Sequence, residues 1–317
     1  MMRLNGRIAL IPAMALSSLA SCAENPAEEI DWTDESPHEV RFVTVAPEVQ
    51  LEVLDWGGDG DNLVFLAGLS MNAHSFDNFA PRFTDTHRVL GITRRGHGAS
   101  TWPDSVYSIE RLVEDIRIVL DTLGVERAML AGHSFGGDEL TRFASEYPDR
   151  VEGLVYIDAG YDGTLIDSLR VFEVCPMGPE IMEAIERRFE NLEAFRHTQR
   201  REGDDGTLVP YVSIAAANQM MASSSTLAYS SVVAPALAVY HTPRWVEDIM
   251  GGEALLPADC VSALQRVTYE SIAALAVGMK TARIVALEDT QHNIHLVSPD
   301  ALEEVMRRWL ATRPNGR

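Results

Sequence analysis

Between Asn62 and Ala311 the sequence switches repeatedly between two hydrophobic periods, and that alternation limits the fold more than any single motif does. The runs NLVFLAGL, HRVLGITR, RAMLAG and VEGLVYIDAG are short and almost wholly apolar, as strands covered on both faces are. SFDNFAPRFTD reads as a short helix between the first two, and SIERLVEDIRIVLDTLG and FGGDELTRFASEYP carry apolar residues at helical spacing between the others. Strand, helix and strand in succession predict βαβ units, hence a mostly parallel central sheet flanked by helices. Two strand-like runs, HEVRFVTVA and QLEVLDWGG, precede this series, and GGDGDN follows them as a turn. That acid-glycine cluster lacks the acid spacing and closing glutamate of an EF-hand loop, so it is read as a turn and not as a calcium site.

After Gly160 the alternation lapses. Residues 161 to 232 read as helices joined by polar, glycine-bearing loops, among them GPEIMEAIERRFENLEAFRH and SIAAANQMMASSSTLAYSS. It resumes with the strand APALAVYHTP, the helix ADCVSALQRVTYESIAALAVG, the strand ARIVALED and the helix SPDALEEVMRRWLATR. The expected organisation is an α/β core in two parts, residues 39–160 and 233–317, interrupted by a helical lid at 161–232. The 46% hydrophobic content supplies a core of that size.

The first 21 residues read as a signal peptide: Arg3 and Arg7 precede an apolar stretch, Ile8 to Ala20, that is shorter than a spanning helix. The tetrad LASC, Leu19 to Cys22, is similar to the lipobox of bacterial lipoproteins, which implies a lipid on Cys22 and a periplasmic or cell-surface location. Ordinary secretion with cleavage near Ala20 is the alternative. Residues 22–38 are polar, acidic and proline-bearing, as a flexible tether would be. Cys175 and Cys260 then remain either as a disulfide in an oxidising compartment or as two separate thiols. A formal charge of -21 disfavours nucleic acid and anionic membrane surfaces as partners.

GHSFGG, residues 132 to 137, lies between the strand RAMLAG and the helix that follows. It contains G-x-S-x-G as Gly132, His133, Ser134, Phe135 and Gly136, in the strand-to-helix context of a nucleophile elbow. So tight a turn needs neighbours nearly without side chains, and it lifts the serine hydroxyl above the sheet. The helix start also aims backbone N–H groups at any negative charge formed there. A serine hydroxyl is a poor nucleophile at neutral pH and needs a base, itself oriented by an acid. His292, on a loop between the last strand and the last helix, is the candidate base, with His295 of the same HNIH stretch as its rival. No HExxH or cysteine cluster accompanies them, so no metal is expected; GxGxxG after the first strand and a P-loop are both absent, so no cofactor is expected.

With LAGLSMNAHSF, TRRGHGAS (Thr93 to Ser100), GHSFGG and QHNIHLVSPDAL, the chain resembles the α/β-hydrolase family, in particular its lidded members, over residues 39–160 and 233–317. The resemblance implies an oxyanion hole made by the backbone N–H groups of Leu69 and Phe135. Many members carry His-Gly where this chain has Ala67 and Gly68, but the donors are backbone groups. Members commonly place the acid after the strand that follows the lid, where this chain has Tyr240, His241, Thr242 and Pro243 and no carboxylate before Glu247. Others place it one strand earlier, where Asp158 stands; Asp158 is the candidate acid, with Glu247, Asp248 and Asp162 as alternatives. The implied activity is that of a serine hydrolase acting on a small ester-type substrate, with an amide, thioester or lactone as further possibilities. A surface-anchored binding protein without turnover is the alternative of another class.

Overall fold

The structure, a computed structural model, describes residues 36–104, 106–169, 171–175, 200–202, 208–210, 214–223, 227–242, 257–288 and 290–312. The signal-peptide and lipid-site expectations, with Cys22, lie outside the described residues, as does all of the tether before Ser36.

Strands β1 (Glu39–Ala46) and β2 (Val49–Gly57) form an antiparallel pair. They lead to β3 (Asp61–Leu66), β4 (His87–Ile92), β5 (Ala128–His133) and β6 (Val151–Ile157). After the short pair β7 (Arg200–Glu202) and β8 (Leu208–Pro210) the chain returns to the main sheet with β9 (Ala236–His241) and β10 (Ala282–Leu287). The eight-stranded sheet has the order β1-β2-β4-β3-β5-β6-β9-β10. From β4 to β10 all neighbours are parallel, while β2 is antiparallel to both β1 and β4.

Alternation within strands sends side chains to two separate cores. Val64 and Leu66 of β3, Leu130 of β5 and Tyr156 of β6 point to one face, packed by α1 (Ile109–Thr122) and α2 (Gly136–Glu146). Ser108 caps α1, its hydroxyl accepting from the Arg111 N–H. Leu63 and Phe65 of β3, with Val155 and Ile157 of β6, point to the other face. There they meet Leu302, Met306 and Trp309, residues of the last helix. The predicted short helix SFDNFAPRFTD is instead two 3-10 turns, Ala73–Phe76 and Ala80–Phe83. Its Phe76, Phe79 and Phe83 are all buried around Phe65, and Pro81 at the start of the second turn cannot continue a helix from the first.

Between β6 and β9 the chain leaves the sheet. The described residues there form α3 (Gly163–Ser168), α4 (Val171–Val174), the β7–β8 pair and α5 (Ile214–Ser223). The pair is a departure from the all-helical reading of this stretch, and GPEIMEAIERRFENLEAFRH lies outside the described residues. The helix α6 (Ala258–Gly278) packs on α3 and α4, and Cys175 is disulfide-bonded to Cys260 near its start. After β10 come the one-turn helix α7 (Ile294–Val297) and the longer helix α8 (Pro299–Ala311).

Candidate active site

Ser134 is the first residue past β5 and has φ +51°, in the left-handed region that residues with a Cβ seldom occupy. The packing around it explains the glycines. A Cβ on Gly132 would lie 2.6 Å from the Gly136 carbonyl carbon, and one on Gly136 would lie 2.5 Å from the Leu66 carbonyl oxygen. The Gly137 N–H donates to the Ser134 carbonyl at 2.9 Å, which starts α2 directly beneath the turn.

Parallel pairing continues one residue past each of two strands and holds the bend. The Ser134 N–H donates to the Ile157 carbonyl at 3.3 Å, and the Asp158 N–H donates to the Val239 carbonyl at 2.8 Å. Asp158 is itself left-handed, with φ +45°.

The Asp158 carboxylate is fully buried and meets two imidazoles. Its Oδ2 lies 2.5 Å from His292 Nδ1, and its Oδ1 lies 2.8 Å from His241 Nδ1 and 2.9 Å from the His241 backbone N–H. Burial pushes the carboxyl up, but His241 and His292 outweigh that and hold it well below the usual carboxylate range. An ionised carboxylate only accepts, so both Nδ1 atoms donate, and Nε2 of a neutral His292 keeps its lone pair. His292 is 38% exposed at its side chain, so this nitrogen can be reached from outside. Its ring packs on His133 at 4.7 Å between centroids, and its carbonyl accepts from His133 Nε2 at 3.1 Å. The loop bearing His292 is thereby tied to the residue that precedes Ser134. The Ser134 hydroxyl makes no hydrogen bond among the described residues, with His292 or any other group.

His295 is placed differently from His292. It is buried between Phe76 and His133, at ring distances of 4.6 and 4.7 Å, and neither of its nitrogens has a partner among the described residues. Burial pushes it down to about 3, so it stays neutral in the core. Asp162 does not reach the imidazoles; its Oδ1 accepts from the N–H and hydroxyl of Thr164 at 2.8 and 2.6 Å, at the start of α3. Glu247 and Asp248 lie outside the described residues.

Gly68 passes against the elbow: a Cβ there would lie 2.8 Å from His133 Nδ1 and 3.3 Å from Ser134 Cβ. The next residue, Leu69, and Phe135 after the serine each have a backbone N–H that donates to no group among the described residues. Unspent buried or half-buried donors of this kind are uncommon. Phe135 directly follows the serine, and Leu69 follows the glycine that packs against it.

His241 is the member of this constellation that the sequence did not disclose. The end of APALAVYHTP, where family members commonly carry a carboxylate, instead presents an imidazole oriented toward the carboxylate at the end of the neighbouring strand.

Among the described residues, His38, His74 and Asp77 alone bring three metal-ligand atoms together. His74 is committed to carboxylates, with Nδ1 2.8 Å from Asp77 Oδ2 and Nε2 3.5 Å from Glu52 Oε1, which fits an imidazole bridging two acids.

A parallel sheet with a glycine-flanked serine at one strand end, and an Asp–His pair on the neighbouring ends, defines a hydrolase of the α/β class. The family model for the alpha/beta hydrolase fold matches residues 61–205. The 2-(acetamidomethylene)succinate hydrolase of Mesorhizobium japonicum is 30% identical over 198 residues, 57% of this chain and 70% of that protein. The chain belongs to the alpha/beta hydrolase fold family. A crystal structure of E-2-(acetamidomethylene)succinate hydrolase superposes with a TM-score of 0.67 at 23% identity, over 87% of this chain and 100% of that one. A thermophilic esterase from Thermogutta terrifontis superposes with a TM-score of 0.63 at 21% identity, over 86% of this chain and 98% of that one.

Proposed function

We propose that this hydrolase cleaves a carboxylic ester through an acyl-enzyme on Ser134. The contact that carries the reading is the 2.5 Å approach of His292 Nδ1 to Asp158 Oδ2, at the sheet edge where Ser134 emerges. Ser134 Oγ attacks the carbonyl carbon while His292 Nε2 takes the hydroxyl proton. The backbone N–H groups of Leu69 and Phe135 receive the developing oxyanion, each worth on the order of 3 kcal/mol in the transition state. His292 returns its proton to the departing alkoxide, leaving an ester on Ser134. Water then attacks that ester as His292 takes its proton, and His292 passes that proton to the departing Ser134 Oγ, which frees the acid and restores the serine hydroxyl. Asp158 keeps the imidazole in the tautomer that this sequence of transfers requires.

Family members that open epoxides or displace halide use an aspartate where Ser134 stands, and serine favours acyl transfer instead. An amide is the second reading, favoured by the relative whose name specifies an acetamido compound. The segment between β6 and β9 serves as a lid in this reading. Met220, Met221, Leu227 and Tyr229 are among its described apolar residues; Met220 and Tyr229 are buried in the core, and Met221 and Leu227 pack against it.

The same proposal includes export and a lipid on Cys22. The disulfide between Cys175 and Cys260 supports an oxidising compartment. Incorporation of labelled palmitate, lost in Cys22→Ala, tests the anchor.

A fluorophosphonate probe tests the chemistry. Wild-type protein is expected to label stoichiometrically, with labelling abolished in Ser134→Ala and His292→Ala and kept in His295→Ala. A folded wild type that neither labels nor hydrolyses p-nitrophenyl acetate would overturn the reading in favour of a binding protein.

A further inference from the structure

Arg94, two residues past β4, is a buried cation that the mechanism above leaves unused. Its guanidinium is spent almost entirely on three partners. Nη1 donates to the Gly68 carbonyl at 2.7 Å, and Nη2 donates to the Ala67 carbonyl. Nη2 also donates to Glu139 Oε2 at 2.7 Å, and Nε donates to Glu139 Oε1 at 3.2 Å, a two-point grip on a buried carboxylate of α2. The plane lies 5.3 Å from the centroid of the Phe135 ring.

We infer that Arg94 is a positioning residue that sets the geometry of the oxyanion hole from below. The inference rests on the acyl-transfer reading of Ser134. In a trans peptide the C=O of one residue and the N–H of the next point in opposite directions. Holding the Gly68 carbonyl against the guanidinium therefore turns the Leu69 N–H away from Arg94, toward the side on which Gly68 meets Ser134. Holding the Ala67 carbonyl fixes the preceding peptide plane as well, so the loop cannot swivel about Gly68. Glu139 ties the same guanidinium to α2, and the residue that caps the start of this helix, Phe135, carries the other donor on its backbone N–H.

One side chain thus sets the spacing between donors that come from two different elements. The ion pair with Glu139 largely neutralises the charge, so the effect is one of orientation rather than of field. A lysine keeps the charge but offers a single nitrogen, and cannot hold two carbonyls and a two-point carboxylate at once.

The test compares Arg94→Lys, Arg94→Ala and Glu139→Gln with the wild type on p-nitrophenyl acetate, and measures inhibition by phenylboronic acid, which forms a tetrahedral adduct on a reactive serine. Loss of one oxyanion donor costs about 100- to 1,000-fold in kcat, and a misaligned donor part of that. Arg94→Lys is accordingly expected to lower kcat by about 10- to 100-fold. Its KM should stay within about threefold of wild type, and boronate affinity should fall in step with kcat. Millimolar guanidinium chloride should restore activity to Arg94→Ala, and equal sodium chloride should not. Glu139→Gln, which keeps the side-chain shape, should show a smaller loss of the same kind and carries the test if the Arg94 variants do not fold.

Folded variants with wild-type kcat and boronate affinity would overturn the inference, as would a loss confined to KM. A wild type that is neither active nor inhibited overturns the Ser134 reading beneath it; an active, boronate-sensitive wild type with indifferent variants overturns the role of Arg94 alone.

Discussion

His241 and His292 donate to opposite oxygens of one carboxylate, at 2.8 and 2.5 Å from Asp158 Oδ1 and Oδ2. The first contact is buried and comes from a strand end; the second comes from a half-exposed loop. The carboxylate is therefore anchored on one side and free to steer an imidazole on the other.

Removing the anchor is expected to weaken the steering. His241→Ala leaves Oδ1 with the backbone N–H alone, and a buried carboxylate deprived of a partner costs about 1–3 kcal/mol. We expect a lower melting temperature and a kcat reduced by about tenfold, the kinetic equivalent of about 1.4 kcal/mol. His241→Asn, which can still present an N–H to Oδ1, should recover most of both. Thermal melts and steady-state kinetics on the two variants check this.

Acid should destabilise the fold through its buried imidazoles. Burial pushes His97 and His133 well below the ordinary value, and takes His295 from 6.5 to about 3. Between those limits the unfolded chain binds a proton at position 295 that the folded chain refuses. The contribution is complete above the ordinary imidazole range, declines as pH falls through it, and stops declining near 3. Each such group adds up to about 1.4 kcal/mol of lost stability per pH unit. His295→Phe, with an apolar ring against Phe76, should flatten the acid slope of urea-unfolding free energy by about one proton. An unchanged slope would contradict it.

The elbow should tolerate no Cβ at Gly132. Alanine there would place a carbon 2.6 Å from the Gly136 carbonyl carbon, so the strand or the helix must shift. Overpacking of this kind costs about 1–3 kcal/mol, and the displaced turn should lose probe labelling even where the protein stays folded. Gly124→Ala, a left-handed glycine with open space around its Cβ position, should show backbone strain with labelling intact. The pair separates loss of fold from loss of site.

Reducing the disulfide should loosen the segment that leaves β6. Cys175 and Cys260 are 85 residues apart in sequence, and a loop of that length corresponds to about 4.6 kcal/mol of chain entropy. Cys175→Ala with Cys260→Ala is expected to lower the melting temperature by about 5 to 15 °C, and dithiothreitol should lower that of wild type but not of the double variant.

The sheet was readable from the sequence because β3, β4, β5 and β6 are short apolar runs separated by amphipathic stretches, and that period survives any uncertainty about contacts. Ser134 was readable because its glycines leave a local pattern in the sequence, although only the Gly132 clash, with Gly136, lies within the turn and the Gly136 clash is with Leu66 of the adjoining strand. The acid could be narrowed to a short set of carboxylates but not chosen, since a choice needs the register between β6 and β9 and the reach of a loop more than a hundred residues away. His241 and Arg94 stayed hidden because their roles consist wholly of contacts between distant segments. Phe76, Phe79 and Phe83 carried a helical period without an α-helix, because burial around Phe65 rewards the spacing whichever way the backbone supplies it.

Ser134 and Asp158 sit side by side, both left-handed, and the backbone N–H of each donates to a carbonyl of the adjoining strand, Ile157 and Val239 in turn. The rim of the sheet therefore works as a clamp under load. Fraying at that rim disarms alcohol and acid in one event, so warming should silence the enzyme while its helices are still intact.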